Sequence, residues 1–273
     1  MFKIIKESFK ITNTNIVIAT PLILFSLFSS IYVILSSKGN TLGLSVTVIL
    51  SFLMLGAFLS GWFFMIKKAV TNSEEDQKDK LIFEFPAGVG EYFFSILGMI
   101  FVIILVFIAI TVLIGIAGKK FIGETGVSYN QLSTAFASVE SMKAFLGSLT
   151  PQQISKFKAW NMLLMAGILF NYFAIMFYSP ALFFKEKNPF KAFFINVKDT
   201  FGRKIFKNIF LFILLSIIYF ILSVLTALLS GNVVTHFILT LTNFYYATFV
   251  GVLIFNYYYS NFAKIGSQID RTV

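Results

Sequence analysis

Residues 93–117 read FFSILGMIFVIILVFIAITVLIGIA, a run without a single charged side chain. As an α-helix that rises about 1.5 Å per residue, this run is longer than the ~30 Å hydrocarbon core of a bilayer. The whole chain shares the bias, because 58% of its 273 residues are hydrophobic, 12% are charged and the mean hydropathy is +0.85. A soluble domain carries about 25% charged residues. The sequence therefore predicts an all-α, polytopic membrane protein.

Runs of this kind predict six transmembrane helices, since each is long enough to cross a bilayer with some tilt. They lie at 16–35, 42–66, 93–117, 159–184, 205–230 and 234–260. The first run is not typical of a cleaved signal peptide, because it is too long for an h-region and no A-x-A-like site follows it.

The distribution of positive charge predicts the orientation. Of the 22 lysines and arginines, 16 lie on the side of the two termini and 6 on the other side. The positive-inside rule then predicts cytoplasmic N- and C-termini in a bacterial inner membrane. The net charge of +10 is explained by contact with anionic lipid, without nucleic acid as a partner.

The longest segment outside the predicted spans is 118–158, on the outer side, and it carries helical signals. One apolar stripe at helical spacing consists of Ala135, Val139, Met142 and Leu146. Further on, Thr150, Pro151 and Gln153 are typical of a helix start. We expect that helix to begin outside the membrane and to continue unbroken through the fourth span.

A segment that reads as an amphipathic helix precedes each odd-numbered span, at 1–12, 84–94 and 188–201. In the last of these, Asn188 and Pro189 predict the helix start, and Gly202 can end it. Its apolar stripe consists of Phe190, Phe193, Phe194, Val197 and Phe201, with Lys191, Asn196, Lys198 and Asp199 off the stripe. Such a helix lies in the membrane surface, with its aromatic side chains in the acyl boundary and its lysines among the headgroups.

The even-numbered spans resemble one another in sequence. The matching groups are Phe58, Ser60-Gly61 and Phe64; Phe177, Ser179-Pro180 and Phe183; and Phe249, Gly251 and Phe255. They predict a three-fold repeat of helical hairpins, each made of an interfacial helix, a span and a return span. Chance is the alternative, because the chain contains 36 phenylalanines.

One part of this pattern is similar to a known family. The stretch 178–184 (YSPALFF), then Asn188 to Phe193 (NPFKAF), then Lys207-Asn208, resembles the membrane domain that accompanies bacterial glycerophosphoryl diester phosphodiesterases and related six-helix bacterial membrane proteins. In that family the phosphodiesterase activity belongs to a separate soluble domain. The resemblance therefore implies a membrane-embedded, non-catalytic module and supplies no catalytic residue.

The residues offer little for catalysis, a cofactor or a metal. The chain has no cysteine and one histidine, His236, and no Asp, Glu, Lys, Arg or His lies clearly within a predicted span. Proton-coupled transporters usually carry such groups in their spans. The acidic stretch 74–79 lacks the ligand spacing of an EF-hand and reads as a solvated loop. We expect neither an enzyme nor a metal or cofactor site.

Amides within the spans are the other candidate residues. They are Asn171, Asn243 and Asn256. They either join helices by hydrogen bonds, worth about 0.6 kcal/mol each on average, or line a cavity for a headgroup or small solute.

Two functions follow from these features. The first is a non-enzymatic membrane protein that engages membrane lipids, or a membrane protein partner, through its interfacial helices. The alternative is a permease or channel for a small neutral or zwitterionic solute. A packed aromatic core would favour the first, and a water-filled cavity at the midplane would favour the second.

Overall fold

The computed structural model describes residues 1–36, 41–71, 80–229 and 231–263, and the regular structure in these ranges is helical. The α-helices are α1 (Phe2–Thr14), α2 (Ala19–Ser36), α3 (Thr41–Thr71), α4 (Glu84–Phe121), α5 (Tyr129–Ala135), α6 (Val139–Ser148), α7 (Pro151–Ile175), α8 (Tyr178–Phe184), α9 (Pro189–Phe201), α10 (Ile205–Leu229) and α11 (Val233–Tyr258). The acidic stretch 74–79 lies outside the described residues, as do residues 37–40, 72–73, 230 and 264–273.

Five helical segments are long and apolar enough to cross a bilayer. They are Val46–Thr71, Lys80–Phe121, Pro151–Phe184, Ile205–Leu229 and Val233–Ala263. A sixth is counted when α1 and the segment Ile16–Tyr32, which contains most of α2, are taken together as one span bent by 80°. The chain is therefore an all-α, multi-pass membrane protein.

The second interfacial helix, expected at 84–94, is not a separate element. It forms the first turns of α4, which continues without interruption from Glu84 to Phe121. Its Pro86 lies in the first turn, where the missing N–H is tolerated. Gly88 packs directly on α3, and a Cβ at this position would lie 2.9 Å from the Ser60 carbonyl oxygen.

The expectation of an unbroken fourth span is also wrong. The helix begins at Pro151 as predicted, with Thr150 and Gln153 forming a reciprocal capping pair. It is then interrupted at Met176 and Phe177, between α7 and α8. Pro180 has no N–H to donate to the Met176 carbonyl, and its ring crowds that carbonyl.

Residues 103–172 form one compact unit, and residues 1–102 with 173–273 form the other. In the first of these, the Trp160 indole N–H donates to the Gly123 carbonyl (3.1 Å), next to a turn in which Gly123 has φ +78°. The apolar stripe predicted around Val139 is divided between two helices, because the Ser138 side chain caps α6 separately. Ala135 ends α5 and is buried, whereas Val139 and Leu146 are exposed.

The other unit has an aromatic core. The Tyr92 ring of α4 stacks on Phe183 of α8 (4.1 Å between ring centres), and Phe63 of α3 stacks on Phe255 of α11 (5.5 Å). A Cβ at Gly251 of α11 would lie 2.8 Å from the Ile66 side chain, so α11 and α3 approach closely at this glycine. Of the small residues in the matched groups, Gly251 therefore lies where two helices meet.

Candidate membrane-interface site

α9 begins where the sequence predicts it. The Asn188 side chain accepts a hydrogen bond from the Lys191 backbone N–H (3.2 Å), and Pro189 occupies the first helical position. Both features favour a helix start, since the cap satisfies one orphan N–H and proline needs none. Gly202 follows the last helical residue. The prediction for 188–201 therefore gives the correct bounds.

α9 turns a stripe of small and polar side chains toward the protein. Ala192, Asn196 and Thr200, spaced four residues apart, are completely buried. On the opposite side, Phe190 is 52% exposed and Phe194 is 69% exposed. This is the reverse of a helix on a water-soluble protein, which buries its aromatic side chains and exposes its amides.

The other predicted surface residues of α9 divide between the two sides. Lys191, Lys198 and Phe201 are exposed, whereas Phe193 and Val197 are half-buried. The Phe193 ring packs edge-to-face on Tyr178 (5.7 Å). The predicted aromatic stripe is therefore wider than the surface that faces away from the protein.

Asn196 fills the interruption between α7 and α8. Its Oδ1 accepts a hydrogen bond from the Phe177 backbone N–H (3.2 Å), and its Nδ2 donates to the Ala174 carbonyl (2.7 Å). These are two of the backbone groups that a continuous helix would have paired internally. The amide thus supplies both a donor and an acceptor to a buried backbone that lacks them.

Asp199 joins three elements next to this interruption. Its carboxylate accepts a hydrogen bond from the Tyr258 hydroxyl (2.6 Å) and pairs with the Lys185 ammonium (2.8 Å). The neighbouring Asn208 side chain donates to the Asp199 carbonyl (3.0 Å) and accepts from the Tyr257 hydroxyl (2.9 Å). The sequence gives no sign of this cluster, because Tyr257 and Tyr258 read equally well as interfacial aromatic side chains.

α1 has the same distribution of side chains as α9. Ser8 and Thr12 are buried, and the Ser8 hydroxyl accepts a hydrogen bond from the Asn256 side chain of α11 (3.0 Å). Phe2 and Phe9 are 84% and 51% exposed. Two separate amphipathic helices therefore bury polar atoms against the bundle and expose phenylalanine.

The other two amides lie in different surroundings. Asn243 of α11 is half-buried, and its Nδ2 lies 3.4 Å from the Thr226 hydroxyl of α10. Asn171 of α7 is 6% exposed, and its buried Oδ1 has no hydrogen-bond partner among the described residues. Asn243 and Asn256 thus join helices directly, whereas Asn171 joins none through this oxygen.

No group of three or more acidic or histidine side chains within the described ranges lies close enough to hold a metal ion. His236 is exposed in the first turns of α11. No protein-family model, curated protein or solved structure matches the chain. The family resemblance of residues 178–184, 188–193 and 207–208 therefore stays a prediction.

Proposed function

We propose that this chain is a six-span protein of the bacterial inner membrane, with both termini in the cytoplasm, and that it engages membrane lipid without catalysing a reaction. One observation carries the proposal. α1 and α9 bury small and polar side chains in the protein and expose phenylalanines, with lysines on the same helices. Exposed aromatic side chains beside lysines match the boundary between acyl chains and headgroups.

The energy involved makes this arrangement difficult to explain in water. Complete burial of one phenylalanine side chain is worth about 1.5–3 kcal/mol. Phe2, Phe9, Phe190 and Phe194 are all more than half exposed. With these rings in the acyl boundary, the surface would add several kcal/mol to the attachment of both helices. The lysines would add roughly 1 kcal/mol each near anionic lipid.

The contacts of the interfacial segments fit the predicted three-fold repeat. They lie within the compact unit of residues 1–102 and 173–273. The first turns of α4 pack on α3 through Gly88, α9 packs on the α7–α8 interruption through Asn196, and α1 packs on α11 through Ser8. We infer that each interfacial segment packs on the return span of the preceding hairpin, and that the first packs on the last. The interfacial segments then form a closed collar, which suits a membrane-surface role.

The permease alternative has its own supporting observation. Interrupted helices in transporters often expose backbone groups to a substrate or ion, and this chain has an interruption at Met176 and Phe177. However, Asn196 already occupies the Ala174 carbonyl and the Phe177 N–H. The aromatic core also favours a packed bundle. Lipid engagement is therefore the better-supported function.

Spin labels along α9 test the proposal in a chain that has no native cysteine. Single cysteines at Phe190, Lys191, Phe194 and Lys198 are labelled in lipid nanodiscs, and the accessibility of each label to oxygen and to a water-soluble nickel chelate is measured. We expect oxygen accessibility to dominate at positions 190 and 194, because they would lie in the acyl boundary. The chelate should dominate at positions 191 and 198.

A label at Ala192 serves as the buried control and should be protected from both reagents. Chelate accessibility at all four exposed positions would show that α9 lies in water and would overturn the proposal. Protection of positions 190 and 194 from both reagents in native membranes, but not in lipid-only nanodiscs, would identify a protein partner in place of lipid.

A further inference from the structure

A half-open groove of about 250 Å³ lies between α1, the first turns of α10 and the end of α11. Its lining residues are Met1, Ile4, Phe206, Lys207, Phe210, Tyr257 and Asn261. The volume is slightly below the ~300–1,000 Å³ of typical small-molecule pockets. It is suited to a headgroup with the first part of a chain, and too small for a whole lipid.

One end of the groove is cationic. Within the described residues the Lys207 ammonium forms no salt bridge. Lys204, in the turn just before α10, donates to the Asn261 carbonyl (2.8 Å) and to its side-chain oxygen (3.0 Å), and so fixes part of the wall. Burial lowers the pKa of Lys204, and the positive charge of Lys207 lowers it further, against a smaller opposite effect of Asp199. A bound anion would relieve the repulsion between the two ammonium groups.

The remainder of the groove is lined by apolar side chains of α10 and α1. Phe206 is 84% exposed and Phe210 is 49% exposed, one turn apart on the helix that begins the fifth candidate span. Ile4 of α1 lines the facing side. An occupant must therefore present an anionic group and an apolar chain within a short distance of each other.

We propose that this groove binds an anionic glycerophospholipid, with the phosphate at Lys207 and the upper acyl chain along Phe206 and Phe210. The inference rests on the proposed lipid engagement and gives it one site and one lipid class. Free phosphate would use the cationic end alone and leave the two phenylalanine rings in contact with water or bulk lipid. Both halves of the groove favour a lipid.

Native mass spectrometry of the purified protein tests this proposal. Phosphatidylglycerol and phosphatidylcholine are added in turn to the wild-type chain and to the Lys207→Gln and Lys143→Gln variants. Lys143 provides the matched control, because it is an exposed lysine on α6 that neither lines the groove nor belongs to α1 or α9. We expect the wild type to retain phosphatidylglycerol in preference to phosphatidylcholine. Lys207→Gln should reduce that preference about fivefold, and Lys143→Gln should leave it unchanged.

Three outcomes would overturn the site. They are no preference in the wild type, an equal loss in both variants, and displacement of phosphatidylglycerol by millimolar inorganic phosphate. The spin-label profile of α9 is measured on the same preparations. If the wild type shows no preference for phosphatidylglycerol but its α9 spin-label profile is as expected, the groove is rejected and the proposed function stands. If the spin labels show that α9 lies in water, the proposed function itself is rejected.

Discussion

Two buried amides of this fold differ in their hydrogen bonding: the Asn196 side chain is paired, whereas the Asn171 oxygen is not paired with any described residue. Asn196 satisfies two backbone groups in the α7–α8 interruption. Asn171 is as well buried as many core residues, yet its Oδ1 accepts no hydrogen bond from the described residues. An unsatisfied buried polar atom costs about 1–3 kcal/mol. The two residues therefore make contrasting predictions for the same substitution.

We expect Asn196→Leu to lower the free energy of unfolding by about 2–5 kcal/mol, because the Ala174 carbonyl and the Phe177 N–H both lose their partner. The measurement is the temperature at which the detergent-solubilised protein loses its monodisperse peak in size-exclusion chromatography. Lys198→Leu, on the exposed side of α9, is the control and should change that temperature little. An Asn196→Leu variant as stable as the wild type would show that the interruption does not depend on this amide.

Asn171→Leu should leave the same midpoint temperature unchanged or raise it, since it removes an acceptor without a partner and retains most of the side-chain volume. A clear decrease would show that the Asn171 oxygen is bonded in the membrane to water, lipid or a solute. In that event, loss of a copurifying small molecule in the variant, detected by mass spectrometry, would support the permease alternative.

Glycine spacing on α4 determines how its first turns pack. Gly88 faces α3 closely enough that an added Cβ would lie 2.9 Å from the Ser60 carbonyl oxygen, whereas a Cβ at Gly90 would meet nothing within 4 Å. A backbone carbonyl cannot rotate away from a methyl group as a side chain can. Of these two glycines on one helix, only Gly90 therefore leaves room for a larger side chain.

Gly88→Ala should be destabilising by about 1–3 kcal/mol through overpacking, whereas Gly90→Ala should be neutral or stabilise the protein by up to about 1 kcal/mol through helix propensity. Both are measured by the same size-exclusion assay. Equal effects of the two substitutions would show that α4 and α3 are not in close contact here, and the closed collar of interfacial segments would lose one of its three contacts.

The elements differ in how far the sequence could predict them. The helix starts at Pro151 and Pro189 were predictable, because a cap and a first-turn proline act locally. The interruption at Met176 was not, because Pro180 alone can kink a helix in several ways and the partner that completes this one, Asn196, lies on another helix. The inward orientation of Asn196 was missed for the same reason, since its position off the aromatic stripe is also that of a solvated side chain.

The spans of the whole molecule differ in how much of their surface the protein covers. In the most apolar window of Val46–Thr71, 44% of the residues are buried, against 11% in Lys80–Phe121 and 11% in Ile205–Leu229. The window in α3 is therefore the most enclosed of the three, while α4 and α10 leave most of their windows exposed. The groove beside α10 thus lies next to a helix that the protein leaves largely uncovered.

The orientation of the molecule is a further prediction, carried by the division of 16 positive residues against 6. Each lysine near an anionic cytoplasmic surface is worth about 1 kcal/mol, so the excess on one side strongly favours placing that side inward.

Single cysteines at Lys143, Gly231 and Lys191 test this orientation, because all three positions are exposed and the parent chain is cysteine-free. In right-side-out membrane vesicles, an impermeant maleimide should label positions 143 and 231 directly and position 191 only after permeabilisation. The unsubstituted chain gives the background. Direct labelling of position 191 would reverse the orientation and place α9, with its lysines, against the outer leaflet, where a requirement for anionic lipid would lose its basis.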